Sequence, residues 1–410
     1  MAAPPAGNRR SVGKAPQGDR AGRREGCGLT DLNKIWEVDL LPLDPFWHGR
    51  KVAVTGAGGF LGARLTGKLI RQGADVRVAT RSNKSGERLA RMGASVHVGD
   101  LRDPTAAIAL VAGTDIVFSL AHDIRGSRED NRRVAHNVVN SCATEKVRLM
   151  VHASSIAVYD EWPGGIIDEN SSADGHGSDY KSVKREMELE IHKYANSGDF
   201  DAVILQPTIV YGPHSSLWTD GLVERLRLGA IALPDMGQGV CNGVYVDDVV
   251  DAFVGSAAKA RRGRQTYIVS GPQPFSWGEL IQGYADAAGG RVIWDTQPVA
   301  QIEDAPGTGI RRLIGDPMAI ATLPPFRPLL GFVRARLGQD RLDAVRAGML
   351  SVIGKVHDFT YRPAAQDSGL FTSKGTCSIA RLSAEIGPPQ IEPAEGLRMT
   401  QAYIRWRYPR

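Results

Sequence analysis

The sequence predicts an α/β protein built on a doubly wound parallel sheet, with a smaller C-terminal region attached. Three observations predict it. Short runs rich in Val and Ile recur between residues 50 and 206, longer segments with helical spacing separate them, and the first run leads directly into a glycine-rich turn. Alternation of this kind implies parallel strands joined by crossover helices.

The runs at 51–55, 75–80, 95–98, 115–120, 149–153 and 202–205 read as strands. Each is too short for a helix and is dominated by β-branched or other apolar side chains, the composition of a strand buried on both faces. Segments 61–72, 104–111, 130–145 and 182–194 carry apolar residues at helical intervals over helical lengths. After about Gln206 the alternation fades and Pro and Gly become frequent, so residues 207–410 are expected to form a mixed substrate-binding region that also returns elements to the first domain. The stretch 324–354, with arginines at roughly helical spacing, reads as a solvated helix rather than a membrane-surface one.

Composition narrows the function classes. The 410 residues are 42% hydrophobic and 23% charged, enough for a large core. Net charge is +5, but residues 1–28 alone hold six basic residues against two acidic ones. The remainder is balanced, so the positive charge belongs to an expected disordered arm and not to a nucleic-acid-binding face. Residues 29–49 read as an irregular lead-in. No run approaches the roughly 20 apolar residues of a membrane span, and the N-terminus lacks an apolar signal segment, so a cytoplasmic location is expected. Cys27, Cys142, Cys241 and Cys377 are isolated and read as ordinary thiols; no metal site is expected.

The turn after the first strand reads Thr55, Gly56, Ala57, Gly58, Gly59, Phe60, Leu61, Gly62. Gly56 suits a sharp turn, Gly59 a close approach of backbone to a pyrophosphate, and Gly62 tight packing of the helix start, whose free N–H groups attract an anion. This is the order a dinucleotide site requires. The second strand ends in Thr80-Arg81-Ser82 and not in an acid, which favours NADP over NAD because a guanidinium pairs with a 2′-phosphate. Asp100 either accepts from the adenine amino group or caps the helix starting at Pro104.

Tyr180 and Lys184 stand four apart in a helical segment and therefore share a face. A nearby ammonium favours the phenolate, so the tyrosine can exchange a proton with a carbinol or carbonyl oxygen, while Ser155, just past the fifth strand, can hold the same oxygen.

At these residues the chain resembles the extended short-chain dehydrogenase/reductase family, also described as the NAD-dependent epimerase/dehydratase family, whose dinucleotide domain is the Rossmann fold. The motifs are TGAGGFLG from Thr55, GDLRD from Gly99, SLAH from Ser119, SSIAVY from Ser154, YKSVK from Tyr180, QPTIVYGP from Gln206 and VYVDDVVDAF from Val244. A weaker echo runs from Leu382 to Thr400. The resemblance implies that Tyr180 is the acid/base, that Lys184 binds the nicotinamide ribose, and that Ser155 polarises the substrate oxygen. It further implies that Asn131 holds a water relaying protons to Lys184, and that the cofactor is lined by Gly56, Gly59, Phe60, Leu61, Gly62, Arg81, Asp100, Leu101, Leu120, Ala121, Tyr180, Lys184, Pro207 and Thr208. Tyr211 and Gly212 would open the substrate loop, and His122 and Asp123 would stand near the cofactor. The family's homodimers imply a contact through the helices of Asn131 and Lys184.

Two departures bear on substrate. Gln206 stands where the family usually has arginine, and Val240, Cys241, Asn242 and Gly243 occupy the place of the arginine that clamps a nucleotide-sugar diphosphate. Arg225, Arg227 or Arg311 would have to substitute. Ile156 and Ala157 replace the acidic pair of the dehydratases. The expected function is therefore NAD(P)-dependent interconversion of a secondary alcohol and a ketone in a small molecule. A nucleotide-sugar epimerase and a non-catalytic dinucleotide-binding protein are the alternatives.

Overall fold

The computed structural model describes residues 44–124, 126–160, 165–173, 179–296, 359–363 and 365–409. The basic arm, most of the lead-in, Cys27, Arg311 and the 324–354 stretch lie outside the described residues.

The first half of the chain alternates β1 (Lys51–Thr55), α1 (Phe60–Arg71), β2 (Asp75–Thr80), α2 (Asn83–Arg91), β3 (Ser95–Val98), α3 (Pro104–Val111), β4 (Ile116–Ser119), α4 (Arg128–Thr144) and β5 (Leu149–Ala153). After a short β6 (Ile166–Ile167) come α5 (Asp179–Ser197), β7 (Asp201–Pro207), β8 (Ile209–Tyr211), α6 (Gly221–Leu228), β9 (Gly229–Leu233), β10 (Val240–Cys241), β11 (Gly243–Tyr245) and α7 (Val246–Ala258). The rest comprises β12 (Arg264–Val269), β13 (Phe275–Ser276), α8 (Trp277–Ala288), β14 (Arg291–Trp294), β15 (Phe359–Tyr361), α9 (Ala365–Thr372), β16 (Thr376–Cys377), α10 (Ala380–Glu385) and α11 (Pro393–Arg407).

Seven strands pair in the order β12-β7-β5-β4-β1-β2-β3, every neighbour parallel. The order reverses between β1 and β4, and ligands in such sheets bind at that reversal. Alternate side chains serve opposite layers. Val52 and Val54 pack with Leu65 and Leu69 of α1 and with Val249 and Phe253 of α7, whereas Ala53 and Val117 pack with Leu110 of α3, Val138 of α4 and Ile191 of α5. Burial on both faces is why these strands read as continuous apolar runs.

Some elements differ from the sequence reading. α2 is absent from the sequence reading: only Gly86 and Leu89 of its length are buried, and most of its other residues are polar or charged. β12 returns to the sheet from the irregular half, pairing with β7 from Arg264 to Val269. The 115–120 strand contracts to Ile116–Ser119, and the 202–205 strand extends to Pro207.

A second core lies in the C-terminal half. β9 runs between β14 and β15, β8 pairs with β11, and Tyr211, Trp277, Leu280, Tyr284, Tyr403 and Ile404 are buried together. The chain's end is fastened back. Asp248 accepts the N–H groups of Gln390 and Ile391 at 2.8 and 3.1 Å, and Gly396 sits so close to Tyr211 that a Cβ would stand 2.2 Å from the phenol oxygen. Among the described residues, no helix is long and apolar enough to cross a membrane.

Trp47, in the described part of the lead-in, is fully buried against Phe118, which in turn meets Phe253 with ring centroids 6.3 Å apart. Phe118→Ala empties the centre of this stack and is expected to cost about 3–5 kcal/mol. A denaturant titration of the two proteins measures it as a lowered midpoint.

Candidate active site

At the reversal of strand order the end of β1 is tied to the end of β4. Thr55 Oγ1 accepts the backbone N–H groups of Leu120 and Ala121 at 2.9 and 3.0 Å. Gly56 follows at φ +68°, and a Cβ there would lie 2.9 Å from Leu120 and Ala121 backbone atoms, so only glycine fits. Gly62 is pressed harder still: a Cβ would stand 2.2 Å from Gly56 O. Its tight contact is with the turn itself. Gly59 is the N-cap of α1 and lends no side-chain cap, so the first N–H groups of α1, from Phe60 and Leu61 on, lack intrahelical partners. Beside them Gly58 has open space, with Ser85 the nearest neighbour at 3.8 Å. An uncapped helix start beside a side-chain-free turn suits a pyrophosphate.

Along the sheet edge of this crevice, Arg81 is exposed at the end of β2 and reaches Asp123 at 3.3 Å. Arg88 of α2, which sequence reasoning missed, donates to Gly58 O at 3.3 Å; its helix turns back over the glycines because Ser82 caps it. Asp100 does not cap α3. Asp103 does, accepting from Thr105 N–H at 2.9 Å. Asp100 instead grips Arg102 through both carboxylate oxygens, and that guanidinium holds its carboxyl below the usual range. Leu101 beside it is buried.

Ser155 follows β5 and caps a short 3-10 turn, its Oγ accepting from Ala157 N–H at 3.2 Å. The phenol of Tyr180 lies within the influence of that hydroxyl. Burial raises that phenol above its ordinary value and Ser155 opposes the rise. The residue as a whole is 37% exposed. Lys184, one turn along α5, is buried, donates to Ala153 O at 2.7 Å, and has its Nζ 5.9 Å from the Tyr180 ring centroid. Burial pulls its pKa down to about 8, with Glu188 acting in the opposite sense. Tyr180 and Lys184 therefore lie side by side on α5. The phenol stands above and not below its ordinary value, because burial outweighs the influence of Ser155.

Other predicted residues are placed differently. The Asn131 amide is engaged by the loop after β4: its Oδ1 accepts from Asp123 N–H at 2.8 Å, and its Nδ2 donates to Asp123 O and Ser127 O. These partners, Asp123 and Ser127, belong to that loop. His122, read only as a neighbour of the cofactor, stands edge-on to Tyr180 with centroids 5.1 Å apart. Its buried Nδ1 has no hydrogen-bond partner among the described residues, and burial together with Lys184 brings its pKa down to about 4. Thr208, beyond Pro207, is buried and donates to Val269 O at 3.3 Å. Tyr211 is core, while Gly212 turns at φ +123°.

The substrate-side departures have structural counterparts. Gln206 Nε2 donates to the buried Glu188 at 2.9 Å, while its Oε1 accepts from Tyr159, so the amide occupies a network in place of an ion pair. Asn242 spans to the backbone of Gly375 and Cys377. Arg225 lies over the Tyr361 ring at 4.4 Å and Arg227 donates to Tyr408 O, so each has a partner in the second core. Asp247 of the VYVDDVVDAF stretch pairs with Arg64 at 2.6 Å and Asp251 with Lys68, which fastens α7 to α1.

Residues 52–270 match the sequence model of the NAD dependent epimerase/dehydratase family. Among curated relatives, a 2-alkyl-3-oxoalkanoate reductase of Stenotrophomonas maltophilia is 28% identical over 58% of this chain and 76% of its own length. A protein of the same description from Shewanella oneidensis is 26% identical over 56% of this chain and 63% of its own. A UDP-glucose 4-epimerase of Mycolicibacterium smegmatis is 26% identical over 58% of this chain and 83% of its own. The fold is also that of solved structures, including Thermus thermophilus UDP-glucose 4-epimerase in complex with NAD, at TM-score 0.58, 20% identity, 86% of this chain and 98% of that one.

Replacing Ser155 with Ala removes the hydroxyl that opposes burial at Tyr180. The Tyr180 phenol is then expected to titrate at higher pH than in the unsubstituted protein, as read by NMR of ring-labelled tyrosine; an unchanged or lower titration point contradicts the geometry.

Proposed function

The chain belongs to the NAD-dependent epimerase/dehydratase family, and within it we propose an NAD(P)-dependent oxidoreductase that interconverts a secondary alcohol and a ketone. The observation that carries this reading is Lys184, buried one helical turn from Tyr180 with its Nζ 5.9 Å from that ring, at the same end of the sheet as the glycine turn. The reductases among the relatives support ketone chemistry.

When bound, the dinucleotide supplies or accepts a hydride. The protein's own residues manage the oxygen. In reduction, the substrate oxygen sits between the Ser155 hydroxyl and the Tyr180 phenol, and Tyr180 donates the proton that the developing alkoxide needs. A phenol raised by burial stays protonated at neutral pH, which is the form the reductive direction uses. Lys184 keeps its positive charge below about pH 8, where it stabilises the tyrosinate left behind. His122, neutral at that pH, crowds the ring without competing for the charge. Phe60, Leu61, Leu101, Leu120, Ala121, Pro207 and Thr208 line the dinucleotide in this reading, Asp100 faces its adenine, and Asn131 acts through the loop it holds. A homodimer through α4 and α5 is part of the same proposal.

An epimerase acting on a nucleotide sugar is disfavoured because Asn242 stands where a diphosphate clamp is needed and Arg225 and Arg227 have partners elsewhere. NADP is preferred to NAD on the strength of Arg81, whose contact with Asp123 is long and exposed enough to yield to a phosphate.

Tyr180→Phe is expected to lower turnover about a hundredfold or more. Dinucleotide affinity should stay nearly unchanged, because only the exchangeable proton is lost. Stoichiometric change in nicotinamide absorbance during turnover separates this reaction from epimerisation. Arg81→Ala should weaken NADP by about tenfold while leaving NAD within a factor of two, as measured by fluorescence titration. Equal losses for both would refute the preference.

A further inference from the structure

The outward side of α5 carries a second constellation that the reaction does not use. Arg185, Glu188 and His192 look from it into a cleft of about 670 Å³ whose other walls are the edge strand β12 and α10. Four guanidinium groups line this cleft, those of Arg185, Arg261, Arg264 and Arg381, against three carboxylates.

The carboxylates are committed to the walls. Glu188 accepts from Gln206 at 2.9 Å and pairs with Arg185 at 3.3 Å. Glu385 accepts from the Tyr267 hydroxyl at 2.6 Å and pairs with Arg261. Glu169 accepts from Ile268 N–H at 3.0 Å, which leaves Arg381 at a distant 3.9 Å. Arg264 has no ion pair among the described residues. Next to it His192 lines the same cleft, and its Nε2 has no hydrogen-bond partner among the described residues. The field of Arg264 and Arg185 reinforces burial in holding that imidazole neutral, so it can offer an N–H.

A positive cleft with an unpaired guanidinium, a loosely paired one and an idle imidazole lacks an anion. A planar carboxylate is satisfied by one guanidinium fork, whereas a tetrahedral dianion uses donors converging from several sides. We propose that this cleft binds the phosphate group of a small phosphorylated molecule through Arg264, His192 and Arg381, at a site separate from the dinucleotide crevice. The proposal does not depend on the reaction assigned to Tyr180.

The test titrates the full chain with inorganic phosphate, followed by phosphorus NMR line broadening, alone and with excess NAD. Expected is saturable binding that NAD leaves in place and that Arg264→Gln and His192→Asn each weaken at least fivefold. Arg81→Ala, in the other crevice, should leave it unchanged. Thermal melting verifies that the variants fold, and Arg264 is exposed at the first position of an edge strand. Absence of saturable binding, displacement by NAD, or equal binding in both cleft variants overturns the proposal. Failure of NAD itself to bind would count against the proposed reaction and leave the phosphate result to be read from the variants alone.

Discussion

The closeness of β1, β4 and the start of α1 is the constraint on which the remaining architecture depends. Thr55 draws two N–H groups of β4's exit onto its hydroxyl, and Gly56 and Gly62 bring backbone to backbone at separations no Cβ permits. Because the chain leaves β1 and β4 toward opposite sides of the sheet, that junction opens a crevice with α1's uncapped N-terminus on one wall. A parallel sheet buried on both faces keeps the junction rigid, and the Trp47–Phe118–Phe253 stack lies behind it.

On the other wall, the site's chemistry is governed by burial more than by pairwise charge. Burial raises the Tyr180 phenol and lowers Lys184, which is bonded to a backbone carbonyl. The same ammonium acts on His122, and His152, buried beneath in β5, is held well below its ordinary value. The result is one cation among neutral rings, with a phenol in its acid form. Glu188 connects this wall to the outer face of α5: it opposes the fall in Lys184 and is itself held by Gln206 and Arg185. Gln206 in place of arginine is thus compatible with a buried carboxylate because Arg185 supplies the countercharge from the neighbouring turn.

Much of this was legible in the residues alone, and the reasons are local. Glycine at positions 56 and 62 speaks for itself, since few environments require the absence of a Cβ so strictly. Tyr180 and Lys184 were readable because helical spacing dictates a shared face, and Ser155 because it directly follows a strand. What was not legible involves partners distant in sequence or competitors close by. Asp100 and Asp103 are both placed to cap α3, and only geometry chose Asp103. The amide of Asn131 is held by the loop eight residues upstream, a contact that spacing alone did not announce. Arg225 and Arg227 looked available as anion clamps until the aromatic rings of β15 and the C-terminus met them.

By itself the sequence determined the periodicities: which strands are buried on both sides, where the chain must turn without a side chain, and which pairs lie one helical turn apart. These depend on backbone geometry and steric exclusion, which act over a few residues. Only the tertiary structure decided the direction of the phenol's titration, the neutrality of His122, the partners of each arginine, and the cleft outside α5 where Arg264 and His192 face no carboxylate of their own. Those properties arise from desolvation and from charges on separate elements, and both exist only after the chain has packed.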